Sequence, residues 1–183
     1  MNFQPIETFY KNYRFRSRQE ARWAVFFDEL NVKWEYEVEG FELPPYEFNK
    51  KQFIENHIRD IQDSKESIES LNLIADYLLS QASKPLRFLP DFWLEEFDLW
   101  AEVKHKSRMK SNFFEDYEKL MRFVNYSGKP ILLCTKLEEL CVIISKHSAM
   151  GNITYNKFSF TNDEDLYNRS VQKALSKRFE FNN

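Results

Sequence analysis

Apolar residues recur at helical spacing in SRQEARWAVFFDEL (Ser17 to Leu30), where Glu20, Trp23, Phe27 and Leu30 align and Ala24 and Phe26 widen the stripe. This predicts an amphipathic helix with Ser17 as its N-cap. KWEYEVEGFEL (Lys33 to Leu43) sets Trp34, Tyr36 and Val38 against Lys33, Glu35, Glu37 and Glu39, the alternation of a half-buried strand, and Pro44-Pro45 ends it. Residues 49–82 return to helical spacing in two stripes, Phe53, His57, Ile58, Ile61 and then Ile68, Leu71, Ile74, Leu78. Two strands are predicted at about 87–94 and 98–104, joined as a hairpin by EEFD. A helix follows over Asn112 to Tyr126, with Phe113, Tyr117, Leu120 and Val124 aligned and Gly128 and Pro130 as its stop. ILLC (Ile131 to Cys134) has the unbroken apolar character of a central strand, CVIIS (Cys141 to Ser145) is a further strand, and a last helix runs from near Asp163 to about Lys177. The order predicts one mixed α/β domain over residues 1–183, with a helical hairpin inserted at 44–86.

Composition narrows this picture. A chain of 183 residues, 43% hydrophobic with 18 Phe, can bury a full core rich in phenylalanine. Only 3 Gly occur, which rules out glycine-loop phosphate cradles. The net charge of -3 places any nucleic-acid contact on a local basic face. Cys134 and Cys141 fit no zinc spacing and read as reduced thiols. The start has no signal-peptide pattern and no run is long enough to span a membrane, so the cytoplasm is the expected location.

The chemistry lies in LPDFWLEEFDLWAEVKHK (Leu89 to Lys106), where charge interrupts apolar runs. In the second predicted strand Leu99, Ala101 and Val103 share one face, and Trp100, Glu102 and Lys104 share the other. Asp91 precedes the apolar run of the first strand and can sit across from them. Two carboxylates about 4 Å apart repel by about 4 kcal/mol at an effective dielectric of 20. A divalent cation turns that repulsion into affinity, and Mg²⁺ is commonly held by one or two protein carboxylates plus water and phosphate oxygens. Lys104 can then orient an attacking water. An exposed Glu-x-Lys pair and an ordinary Pro-Asp turn account for the same residues taken singly; their joint spacing across a hairpin is the stronger signal.

Pro90-Asp91 with Glu102-Val103-Lys104 resembles the motif of the PD-(D/E)XK nucleases. Tyr13 to Leu43, SGKPILLC and VQKALSKRFEFNN resemble, in order, the opening, later strand and closing helix of phage and mobile-element members of that superfamily. The segment 44–86 departs from the pattern. The resemblance implies a restriction-endonuclease-like αβββαβ core, a central mixed sheet of about four strands flanked by helices. It implies phosphodiester hydrolysis in DNA dependent on Mg²⁺ or Mn²⁺, with Asp91, Glu102 and the Val103 carbonyl as metal ligands and Lys104 as the catalytic lysine. It also implies an acidic residue on the first helix, a place that Glu20 fits. Ser17-x-x-Glu20 is equally a capping box, so both readings of Glu20 stand.

Two basic clusters flank these residues. Arg14, Arg16 and Arg18 precede the first helix, and Lys106, Arg108 and Lys110 follow the motif strand. Both sets can grip DNA phosphates, or simply face water. Tyr13 and Phe15 are expected in the core rather than on bases. His105 should point away from Glu102 and Lys104, and His57 and His147 lack partners in the sequence. Three functions compete: a DNA nuclease, a non-enzymatic DNA- or protein-binding factor on the same fold such as an inhibitor of host defence, and the nuclease subunit of a transposition complex. The 44–86 insertion is the expected surface for a protein partner.

Overall fold

The structure, a computed structural model, describes residues 5–57, 65–139, 141–146 and 153–179; the side chains of 56, 57, 65–67, 106–115, 117 and 153–155 lie outside the description. A short hairpin, β1 (Thr8–Tyr10) and β2 (Tyr13–Phe15), leads into helix α1 (Arg18–Glu29). Ser17 caps α1, its Oγ accepting the Glu20 N–H at 3.2 Å. Then come β3 (Trp34–Tyr36), β4 (Phe41–Leu43), α2 (Lys50–His57), α3 (Lys65–Ala82), β5 (Leu86–Phe88), β6 (Phe92–Leu94), β7 (Leu99–Val103), α4 (Lys106–Ser127), β8 (Ile131–Cys134), β9 (Cys141–Lys146), β10 (Ile153–Phe158) and α5 (Glu164–Ser176).

The main sheet has six strands in the order β10-β9-β8-β7-β6-β3. It is antiparallel except where β8 runs parallel to β7, which requires the crossover through α4. The fold is therefore α/β with a mixed central sheet flanked by helices, and the sheet is wider than the four strands expected.

Strand alternation divides the core. Phe92, Leu94, Leu99, Ala101, Leu132 and Cys134 face α1 and α5, where Trp23, Phe26, Phe27 and Val171 meet them. Trp100, Ile131 and Ile144 face α4, packing with Leu120, Phe123 and Val124 and with Leu43 and Phe88 of the β4–β5 ribbon. Each fully buried large side chain contributes about 1.5–3 kcal/mol by leaving water. Phe15 is fully buried against Trp34, Tyr36 and Phe92, as expected of a core residue.

Two expected strands are broken. Lys33–Leu43 divides into β3 and β4, because Glu37 turns into the left-handed region at φ 49 and its N–H donates to the Asp91 carbonyl at 2.9 Å. The expected strand 87–94 divides into β5 and β6, with Asp91 between them. β4 and β5 pair with each other in a separate ribbon from which α2 and α3 extend. Of the predicted stripe in α3, Leu71 and Leu78 are buried and Ile68 and Ile74 half-buried. The side chain of His57, residues 58–64 with Ile58 and Ile61, and His147 lie outside the described residues. Helix α4 begins six residues before the expected Asn112, and β1, β2 and β10 have sequences too short or too polar to announce them.

Candidate active site

The site lies at the end of the sheet where β7 and β8 finish. Hairpin register pairs Phe92 with Ala101, so Asp91 falls opposite Glu102 and Val103 just beyond the ladder. The Val103 N–H donates to Asp91 Oδ2 at 2.7 Å, which fixes the carboxylate over the strand end. Asp91 is 3% exposed and Glu102 5%. Burial, then the negative charge of Glu102 and then that of Glu20, pushes the Asp91 carboxyl well above its usual range. Burial also raises Glu102, against the pull of Lys104.

Lys104 completes the cluster. Its Nζ lies 3.0 Å from Glu102 Oε1 and 2.9 Å from Asp116 Oδ1 on α4. Burial alone would lower the Lys104 pKa, but Glu102 and Asp116 outweigh it and hold the ammonium above its ordinary value. At neutral pH Lys104 is thus a proton donor and a cation, not a base.

Arg16 reaches in from the loop before α1. Its Nη2 lies 2.7 Å from Asp91 Oδ1 and its Nε 2.5 Å from Glu37 Oε1, while its side chain stays 54% exposed. Glu20 is buried on the same side. It accepts from Ser17 Oγ at 2.7 Å through Oε1, and from the Arg16 N–H at 3.1 Å and Tyr36 Oη at 2.6 Å through Oε2. The capping interaction therefore exists in altered form, since the amide it satisfies belongs to Arg16 rather than Ser17. Glu20 thus braces the loop that carries Arg16 and adds negative charge beside Asp91.

The structure brings Asp91, Glu102, Lys104 and Glu20 together with Arg16. It does not bring Arg14, which is held by Glu7 at 2.6 Å on the β1–β2 hairpin. Arg18 lines the cleft. The side chains of Lys106, Arg108 and Lys110 lie outside the described residues, although their backbone opens α4. His105 is exposed at the cleft. Asp116 and Glu37 join the site without having been singled out from sequence. Asp116 had a readable signal, because it stands one turn before the buried Leu120 and so on the inward side of its helix. Gln19 is another such residue: its amide donates to the carbonyls of Lys104 at 3.2 Å and Thr135 at 2.6 Å, tying α1 to the ends of β7 and β8.

The donor set fits a hard divalent cation. Among the described residues no three His, Cys, Asp or Glu side chains form a metal cluster. Two carboxylates are enough for Mg²⁺ when water and phosphate oxygens complete the shell. Glu102 Oε2 is buried and accepts no hydrogen bond among the described residues, an orphan that a cation would satisfy. The cleft over these groups measures about 1690 Å³ and is open to solvent. No protein-family model matches the chain, and no curated protein matches it.

Proposed function

We propose that this chain is a metal-dependent DNA nuclease that hydrolyses phosphodiester bonds at Asp91, Glu102 and Lys104. The observation that carries the reading is the pair of buried carboxylates, one with an orphaned oxygen, meeting a protonated lysine in an open cleft. Arg16 and Lys104 each meet one of these carboxylates, yet buried Glu20 leaves the cluster with an excess of negative charge, which is costly unless something else binds there. Asp91 and Glu102 would hold Mg²⁺ or Mn²⁺, which when bound supplies charge neutralisation and a more acidic water. The Val103 N–H keeps Asp91 aimed at the cleft. Lys104, steadied by Asp116, orients the attacking water and offsets charge at the phosphate. Arg16, half-exposed and mobile in reach by its length, can exchange Asp91 for a phosphate oxygen.

The test is incubation of the purified protein with linear, circular and single-stranded DNA, with and without Mg²⁺ or Mn²⁺. Cleavage that requires the metal is expected; intact DNA under every condition would overturn the reading. One observation favours a second reading, a non-enzymatic binder. Arg16 already supplies a cation to Asp91 and Glu37, so the fold has its own counter-charge. That reading predicts DNA or protein binding with no cleavage in the same assay.

A further inference from the structure

The cleft crosses the end of the sheet from one helical layer to the other. One bank belongs to the α4 side: Lys119 on α4 with Phe41 and Phe88 of the β4–β5 ribbon. The other belongs to the α1 side: Arg22 on α1 and Lys136 after β8. Leu137 fixes that second bank, since it is buried in the α1–α5 core and its carbonyl accepts from Tyr167 Oη at 3.0 Å. Asp91 and Glu102 lie between the banks.

Most basic residues near this surface already have carboxylate partners. Arg14 has Glu7, Arg16 has Asp91 and Glu37, Lys104 has Glu102 and Asp116, and Arg87 has Glu42. Arg22, Lys119 and Lys136 form no such pair among the described residues. Among the described residues neither the Arg22 nor the Lys136 side chain makes a hydrogen bond or ion pair, and Arg22 Nε is buried without an acceptor. Lys119 Nζ sits 4.8 Å from the centre of the Phe88 ring and forms no ion pair among the described residues, although Glu102 lies near enough to feel its charge. A buried donor left without an acceptor is costly. Three cations that form no ion pair among the described residues, on opposite banks of one cleft, fit a ligand that repeats its negative charge.

We propose that one DNA strand runs across the end of the sheet, continuous on both sides of the carboxylates, held by Lys119 on one bank and by Arg22 and Lys136 on the other. The choice of DNA rests on the nuclease reading. A single phosphate would satisfy one bank only, whereas a chain offers a charge per nucleotide to both. A strand held on both sides of the carboxylates meets them away from its ends, so the reaction this placement supports is internal cutting.

The experiment measures binding in a chelator, where no cutting occurs. The probes are a covalently closed single-stranded DNA circle and the linear strand of the same sequence, titrated at several salt concentrations. Wild type should bind both with affinities within a few fold. Lys119→Gln, Lys136→Gln and Arg22→Gln, which keep the side chains' bulk, should each flatten the dependence of log K on log salt by about 0.7. Binding of the linear strand alone would overturn the proposal, as would no binding of either, or unchanged slopes in the variants of either bank. Adding Mg²⁺ or Mn²⁺ then separates the two ideas. Uncut DNA with the expected slopes would reject the nuclease reading and leave strand binding in place.

Discussion

Helix α4 meets two buried charged groups that differ in every respect that matters. Near its middle, Glu118 and Arg122 form a pair at 3.2 Å, both nearly inaccessible. Arg122 Nη2 donates to the carbonyls of Leu43 at 3.3 Å, Pro44 at 2.8 Å and Lys84 at 2.7 Å, so it ties both ends of the α2–α3 segment to the domain. Opposite charges and backbone acceptors close that network apart from one guanidinium nitrogen, Nε. Two residues before Glu118, Asp116 joins Lys104, Glu102 and Asp91, where two carboxyl groups are buried together and among the described residues one Glu102 oxygen accepts no hydrogen bond. The first arrangement is what a fold needs from buried charge. The second buries more carboxylates than cations, which is what the proposed metal would answer.

The largest expected effect separates the two by rate. Lys104→Ala should slow cleavage by about 10²–10⁴-fold, the range for a positioned acid–base group, while DNA binding holds. A single-turnover assay with a binding titration checks this, and retained cleavage would reduce Lys104 to a structural cation. Next is stability. Arg122→Ala removes the counter-charge of buried Glu118 and the donor to three backbone carbonyls, and should cost about 3–5 kcal/mol in urea denaturation. A loss below about 1 kcal/mol would mean the α2–α3 ties do not depend on it.

A smaller effect concerns pH. Burial and the charge of Glu102 raise the Asp91 carboxyl in the folded state, so wild-type stability should fall as pH rises above the ordinary aspartate value of 3.8. Asp91→Asn should lack that part of the fall, and Mg²⁺ should bind wild type more tightly as pH rises through the same range. Parallel pH profiles for the two proteins would break the argument. The smallest effect is at Glu20. Glu20→Gln retains an acceptor for Tyr36 and should keep stability to within about 1 kcal/mol, with a cleavage loss smaller than that of Lys104→Ala. A loss as large would put Glu20 in contact with the reaction.

Much of this site was legible because strand alternation is local. Leu99, Ala101 and Trp100 take the faces that a period of two assigns, and Glu102 and Lys104 follow. Helix α1 declared itself through its cap and its stripe. What stayed hidden depends on distant contacts. Arg16 looked like a phosphate grip, yet it bonds Asp91 some 75 residues away in sequence. The break at Glu37 needs the Asp91 carbonyl, and nothing in KWEYEVEGFEL records that partner. Three-residue strands such as β1 and β2 carry too few positions for a pattern.

Asp91→Asn compares site with scaffold most directly when melting temperature and metal-dependent DNA cleavage are measured on one preparation at pH 7. The account predicts a melting temperature equal to or above that of wild type, because the cost of ionising a buried carboxyl beside Glu102 is removed, together with loss of cleavage. A fall in melting temperature comparable to that of Arg122→Ala, with cleavage retained, would contradict it.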